Sequence, residues 1–277
     1  MAVYTRINES DLNLIEKNFN IGKIVSFSGI KKGIENTNYL IKTSKKKIIL
    51  TIFEKRVQKK DLPFFMNLMF GLSKNKIKCP EPIKNKKGKY LFKIKNKTAC
   101  LVSFLEGKDK NQLTNNDCFQ VGKNAAMLHL AAKKLRLYRK NSLSVNSWGP
   151  LLNRIDKRIN RLSSNLINTM RTDLVDIKKK WPKRMPNGII HSDLFIDNIF
   201  FYKKKYYGFI DFYFSANDFL AYELATCINA LCFDRKNKRY VFNKRKSSKL
   251  NIELREATMP NFLLLIETAK PMRPLST

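Results

Sequence analysis

Over residues 1–105 apolar and polar positions change over in short runs. Residues 21–28 alternate and run into a glycine-bearing loop. Residues 37–43 and 47–53 repeat the two-residue period, joined by the turn Lys45-Lys46-Lys47. That period predicts three strands, because successive strand side chains point to opposite faces. Residues 61–74 follow a different rhythm. Leu62, Phe65, Met66, Met69, Phe70 and Leu72 recur at helical spacing, with Asp61 placed as N-cap and Pro63 in the first turn. Cys79-Pro80-Glu81-Pro82 breaks the chain. Residues 90–94 and 98–104 then predict a hairpin.

Beyond Glu106-Gly107 the period lengthens. Residues 116–137 predict one long helix, with Phe119, Ala126, Leu128 and Leu130 among its apolar positions. Residues 150–180 read as one further helical stretch, amphipathic and basic. Short strands are expected at 188–190, 198–202 and 207–211, helix again at 219–232, and a last helical piece at 242–250. Neither an internal repeat nor a long linker interrupts this order. The chain therefore reads as α+β, a β-rich N-lobe over 1–105 and a mainly helical C-lobe over 106–277 within one bilobal domain. The hinge falls near residues 103–107, and the cleft between lobes is where a ligand is expected.

Composition narrows the class. The 277 residues are 43% hydrophobic and 11% aromatic, enough for a large core. No apolar run approaches the roughly 20 residues that span a bilayer. Met1-Ala2-Val3-Tyr4-Thr5 offers no signal-peptide core, so a cytoplasmic protein without a membrane partner is expected. Five cysteines without a Cys-x-x-Cys pair support neither a disulfide framework nor a zinc site. They are expected as small buried side chains. Lys and Arg number 55 against 22 Asp and Glu, a formal charge of +33. Such an excess raises the question of nucleic acid. The lysines, however, are smeared through turns such as Lys86-Lys87 and Lys203-Lys204-Lys205, beside frequent Asn and Ile. No specific nucleic-acid partner is expected, although the surplus attracts any polyanion.

The candidate chemistry lies in His191-x-Asp193-x-x-x-x-Asn198, followed by a hairpin and the apolar strand Gly208-Phe209-Ile210 that ends in Asp211. Phosphoryl transfer asks for a carboxylate to receive the acceptor's proton, oxygen ligands for magnesium, and donors to offset phosphate charge. Magnesium keeps several waters, so one amide and one carboxylate suffice from the protein. Asp193 suits the first role and Asn198 with Asp211 the second. His191 reads as a brace of the loop, and His129 as a packed residue of an apolar helix. A second element, Ser28-Gly29-Ile30-Lys31-Lys32-Gly33-Ile34-Glu35-Asn36-Thr37-Asn38, lies between two strands. Glycines there let backbone N–H groups approach phosphates; a plain hairpin turn would show the same residues.

The residues 191–198 resemble the catalytic loop of the aminoglycoside-phosphotransferase and choline-kinase group, which has a protein-kinase-like fold. Gly33-Ile34-Glu35-Asn36-Thr37-Asn38-Tyr39, Leu50-Thr51-Ile52-Phe53-Glu54-Lys55-Arg56, Val102 to Gly107 and the stretch Ile210 to Ala225 are similar to the bacterial homoserine kinases of that fold. The resemblance runs in order through about residue 235. It implies ATP-dependent phosphorylation of L-homoserine to O-phospho-L-homoserine, in threonine biosynthesis. It makes Asp193 the base and Asn198 and Asp211 the Mg2+ ligands. Gly29, Gly33, Asn36, Asn38 and Thr51 would lie about the nucleotide phosphates, and Ser103, Phe104, Leu105 and Glu106 would offer backbone to adenine.

Two departures stand out. Kinase-like folds carry a lysine on the third strand, where this chain has Thr51; Lys55 and Arg56 are candidates for the compensating cation. From about Arg239 the likeness fades, so residues 239–277 form a divergent tail that is expected to leave apolar C-lobe surface less covered.

For the substrate, a zwitterion with a primary hydroxyl, Asn217 and Asp218 are expected in the pocket, with Arg235 opposite its carboxylate. Glu35 is a further candidate anion, and Glu223 is expected to hold the catalytic lobe together. Three other readings stay open: a kinase for choline, an amino sugar or another amino alcohol; an inactive kinase-like binding protein; and a basic nucleic-acid binder. Oligomeric state is not legible in the sequence.

Overall fold

The computed structural model describes residues 3–33, 35–54, 56–159, 164–236 and 239–250. Helix α1 (Glu9–Asn18) opens on a capping box: Asn8 accepts from the N–H of Asp11, and Asp11 accepts from that of Asn8. Strands β1 (Ile24–Gly29), β2 (Thr37–Thr43) and β3 (Lys47–Ile52) follow. Helix α2 (Leu62–Lys74) and strands β4 (Leu91–Ile94) and β5 (Lys97–Ser103) complete the lobe. The five strands pair antiparallel in the order β1-β2-β3-β5-β4.

Alternation along the strands divides this sheet between two cores. Tyr39, Ile41, Ile48, Leu50, Ile52, Ala99 and Leu101 pack with Leu12 and Ile15 of α1. Cys100 and Val102, of opposite parity, join Phe65, Met66, Leu68, Met69 and Leu72 of α2 in the main core, which continues into the C-lobe. Asn38 and Thr51 are cross-strand partners of that second parity and so face the cleft. Asp61 stands at the N-cap of α2 but makes no capping bond. Its carboxylate instead accepts from Arg139 Nε at 2.8 Å.

In the C-lobe, Thr114 and Asp117 form a second capping box on α3 (Asn115–Lys133). The helix stops four residues short of the expected end, near Arg136 in the left-handed region at φ 50°. Residues 150–180 form not one helix but two, α4 (Val145–Ile159) and α5 (Ser164–Lys180). Trp148, early in α4, meets Trp181, just past α5, edge to face at 5.5 Å. A single rod cannot bring its ends together in this way. Trp181 also packs on Phe219 and Tyr222, which seats the hairpin beside the segment that carries them. Strands β6 (Asn187–Ile190), β7 (Ile199–Tyr202), β8 (Lys205–Phe209) and β9 (Ala216–Phe219) lead to α6 (Leu220–Leu231). β6 pairs with β9 and β7 with β8. A hairpin of β10 (Phe233–Lys236) and β11 (Arg239–Phe242) and a helical run at 244–250 close the described part. Residues 251–277 of the divergent tail lie outside the described residues.

All five cysteines are buried and free. Among the described residues no helix is long and apolar enough to cross a membrane. The β7–β8 hairpin is anchored on the hinge, with Phe201 and Lys108 exchanging backbone bonds of 2.8 and 3.1 Å. On its other strand, Phe209 N donates to Lys78 O at 3.1 Å. Here Gly208 permits the approach, since a Cβ would lie 2.4 Å from Lys78 O. We expect Gly208→Ala to cost about 1–3 kcal/mol by pushing the hairpin off the backbone at Lys78. An unchanged thermal midpoint would show that the hairpin tolerates the shift.

Candidate active site

The loop between β6 and β7 is held from beneath by one carboxylate. Glu223, fully buried in the first turn of α6, accepts from His191 N at 2.5 Å and Ser192 N at 2.8 Å. His129 Nε2, from α3, lies 3.3 Å from the same carboxylate. Burial alone would raise Glu223, but the hydrogen bond and charge of His129, with those of His191, bring it below its ordinary value. Ser192 sits at φ 68°, a left-handed conformation that a non-glycine residue keeps only under such restraint. His191 Nε2–H donates to Ile210 O at 2.9 Å, and its Nδ1 receives the Asp193 N–H at 3.3 Å. Burial lowers the imidazole pKa, which suits this neutral form. The ring packs on Phe212 at 4.5 Å. His191 is thus a brace between the catalytic loop and the Asp211 segment, as the sequence suggested, and His129 is packed in the core.

The loop brings Asp193, Asn198 and Asp211 together. Asn198 Nδ2 donates to Asp193 Oδ2 and to Asp193 O, both at 2.8 Å. Its amide oxygen is the atom left to act as a ligand. Ile210 N donates to Asn198 O at 3.0 Å, which ties the next strand to the loop and sets Asp211 beside it. Asp211 itself is left-handed at φ 63°. It keeps a surface open to the cleft while protein surrounds it otherwise. That burial, with the charges of Asp193 and Glu35, pushes its carboxyl up to about 7, against a bond from the backbone of Tyr213. Asp193 is pushed up to about 6, first by burial, with Asp197 and Glu35 adding to it and Asn198 and Arg56 opposing. Among the described residues no three His, Cys, Asp or Glu side chains converge as a metal cage. What stands here is the Asn198 amide bonded to Asp193, with the under-neutralised Asp211 carboxylate close enough to Asp193 to act on it.

Above these lies the glycine loop. Gly33 is at φ 100°, and no atom lies within 4 Å of where a Cβ would stand, so the loop tip is open there. Gly29 ends β1, and Ile30 N donates to Asn38 O at 2.8 Å. Asn36 is buried, with Glu54 N 3.4 Å from its Oδ1. Thr51 Oγ1 donates to Asn38 Oδ1 at 2.8 Å and also bonds the Tyr213 hydroxyl. Glu35 and Arg56 form an ion pair at the loop's edge. Lys55 lies outside the described residues. In the hinge, Ser103 N donates to Glu81 O at 2.8 Å and Phe104 N lies 3.4 Å from Lys47 O. Leu105 is buried, while Glu106 pairs with Lys47 at 3.2 Å.

The expected substrate residues make bonds of their own. Asn217 Oδ1 accepts from Arg139 N at 2.8 Å, and Asp218 Oδ2 from Asn141 Nδ2 at 2.7 Å. Both hold the 139–141 segment against β9. Arg235 pairs through its backbone with Tyr240 in the last hairpin, and its side chain lies outside the described part. Two residues escaped the sequence reading. Tyr213 contacts Phe53 and Phe65 edge-on at 5.0 and 5.8 Å and lies 3.7 Å from Cys100 Sγ, knotting sheet, α2 and the Asp211 segment. Arg139 joins Asp61 at the start of α2 to the carbonyls of Phe214 (3.4 Å) and Ser215 (3.0 Å). Set among Lys133, Lys134, Arg136 and Lys140, it carried no signal of its own in the sequence.

Residues 26–242 match the phosphotransferase enzyme family. A homoserine kinase of Allorhizobium ampelinum is 43% identical over 247 residues, spanning 89% of this chain and 77% of the relative. The chain belongs to this phosphotransferase family, among its homoserine kinases. The phosphotransferase fold also recurs at low identity. A choline kinase of Cryptosporidium parvum superimposes with a TM-score of 0.65 at 18% identity, covering 93% of this chain and 82% of that one. An amicoumacin kinase in complex with AMP-PNP and Ca2+ gives 0.65 at 14%, covering 98% and 89%. In this phosphotransferase Glu223→Ala is expected to cost about 3–5 kcal/mol, because His191 and Ser192 N–H groups and His129 lose a buried partner. Denaturant unfolding measures this, and a loss under about 1 kcal/mol would deny Glu223 its role as clamp.

Proposed function

We propose that this phosphotransferase moves the γ-phosphoryl group of ATP to the side-chain hydroxyl of L-homoserine, giving ADP and O-phospho-L-homoserine for threonine biosynthesis. The observation that carries the reading is the likeness to homoserine kinases across nine-tenths of the chain, together with an Asp193–Asn198–Asp211 constellation fit for the reaction. Lobes 1–105 and 106–277 enclose the nucleotide. Ser103 and Phe104 direct their N–H groups to Glu81 and Lys47, which favours the backbone of Leu105 and Glu106 for adenine. Gly29, Gly33, Asn36, Asn38 and Thr51 shape the roof over the phosphates.

Asn198 holds Asp193 Oδ2, so Oδ1 is the oxygen that takes the hydroxyl proton. The substrate oxygen then bonds the γ-phosphorus as the bond to the β–γ bridging oxygen breaks and ADP departs. Asn198 and Asp211 are the residues that would hold Mg2+, their hard oxygens and the raised pKa of Asp211 fitting a dication. Bound magnesium would offset charge on the phosphate oxygens. Asn217, Asp218 and Arg235 remain the proposed substrate contacts.

A coupled ADP-release assay over L-homoserine, choline, ethanolamine, L-serine and an aminoglycoside tests the substrate; turnover with another member and not with L-homoserine would replace it. Asp193→Asn should lower kcat about 10²–10⁴-fold with nucleotide binding little changed, and a loss below tenfold would remove it as base. Proton uptake neutralises both carboxylates, so activity should fall as pH drops through about 7 to about 6. Higher Mg2+ should move that limb to lower pH by competing with the proton at Asp211. A limb indifferent to Mg2+ would contradict Asp211 as ligand.

A further inference from the structure

Phosphoryl transfer concentrates negative charge, and the protein must supply cations against it. The third strand does not: Thr51 is buried and bonded to Asn38. The floor is acidic, with Asp193, Asp197, Asp211 and Glu35 close enough to act on one another. Most nearby cations are committed elsewhere. Arg139 is taken up by Asp61 and two carbonyls. Lys97 serves Glu54 and Thr5 on the far face of the sheet. Lys47 lies at the hinge with Glu106, and Lys32 with Asp109 at 2.5 Å. Arg56 differs. Its guanidinium pairs with Glu35 of the glycine loop and lies 5.0 Å over the ring of Phe214, three residues after Asp211. Its charge reaches Asp193.

We propose that Arg56 is the phosphate-binding cation of this cleft, and that the Glu35 carboxylate occupies its fork until nucleotide arrives. The planar guanidinium fits carboxylate and phosphate oxygens alike, so one anion can take the place of the other. The pair is weakly held, since the Arg56 side chain is 57% exposed, and such pairs contribute at most about 1 kcal/mol. A polyphosphate with several charges displaces it. Exchange also frees Glu35, beside the open side of Gly33, to move away from Asp193 and Asp211. Arg56 would then offset the charge for which Thr51 has no means.

The assignment rests on the kinase reading, and the test separates the two. Affinity for Mg–AMP-PNP and KM for each substrate are measured in wild type, Arg56→Ala, Arg56→Lys and Glu35→Gln. Arg56→Ala should weaken nucleotide roughly 10- to 100-fold, the cost of a charged hydrogen-bonding partner, while KM for L-homoserine stays near wild type. Arg56→Lys should restore part of the loss. Glu35→Gln should bind nucleotide more tightly, because the competing carboxylate is gone. A purely structural ion pair predicts the opposite, an equal loss in Glu35→Gln and Arg56→Ala, and that result overturns the proposal. So does unchanged nucleotide affinity in Arg56→Ala, or a rise confined to KM for L-homoserine. Wild type that turns over L-homoserine alongside an indifferent Arg56→Ala sinks only the assignment of Arg56. Wild type that binds no nucleotide sinks both.

Discussion

The buried carboxylate of Glu223 is the constraint on which the site depends. A charge enclosed in the core is tolerable only when donors surround it. Here the donors are the two N–H groups at the start of the catalytic loop and the imidazole of α3. Satisfying the carboxylate therefore fixes the loop's entry and holds Ser192 left-handed. From that fixed entry the remainder follows. His191 reaches the carbonyl before Asp211, Asn198 reaches Asp193, and the strand ending at Ile210 is registered on Asn198. Preorganised groups of this kind lower a barrier because they need no rearrangement during reaction.

The same packing leaves the cleft electrostatically unfinished. Asp193 and Asp211 both stand well above ordinary carboxylates, chiefly through burial and secondarily through neighbouring negative charge. Carboxylates held short of counter-charge fit the cation-dependent site proposed for them. The excess of basic residues, 55 against 22 acidic, is spread along the chain and is no substitute for a cation placed at the phosphates. Tyr213 and Arg139 serve a different end, joining the sheet and α2 to the Asp211 segment so that the roof and floor keep their spacing.

Much of this was legible in the chain. Period-two alternation located β2 over Thr37–Thr43, and helical spacing located α2 to within a residue. The spacing of Asp193, Asn198 and Asp211 marked residues that the structure brings together, because the three lie in one short loop and hairpin. What escaped had physical causes. The pair of α4 and α5 reads as one amphipathic stretch, since the hairpin is decided by Trp148 meeting Trp181 rather than by local propensity. Helix α1 has a capping box but a modest apolar stripe. Asp61 carries a cap's position and sequence context, yet its bond goes to Arg139, 78 residues away in the chain. Asn217 and Asp218 read as substrate contacts from the string alone, and the string did not show that their side chains also hold the 139–141 segment. Long-range partners leave no period in a sequence.

The central claim is that, with Asp193 taking the hydroxyl proton, the γ-phosphoryl group of ATP passes to L-homoserine and not to water. Phosphorus NMR of the protein with Mg–ATP and L-homoserine tests it most directly. The account predicts a new phosphomonoester signal that grows in step with ADP and is nearly lost in Asp193→Asn. ADP accompanied by inorganic phosphate alone, or a phosphomonoester formed equally well by Asp193→Asn, would contradict it.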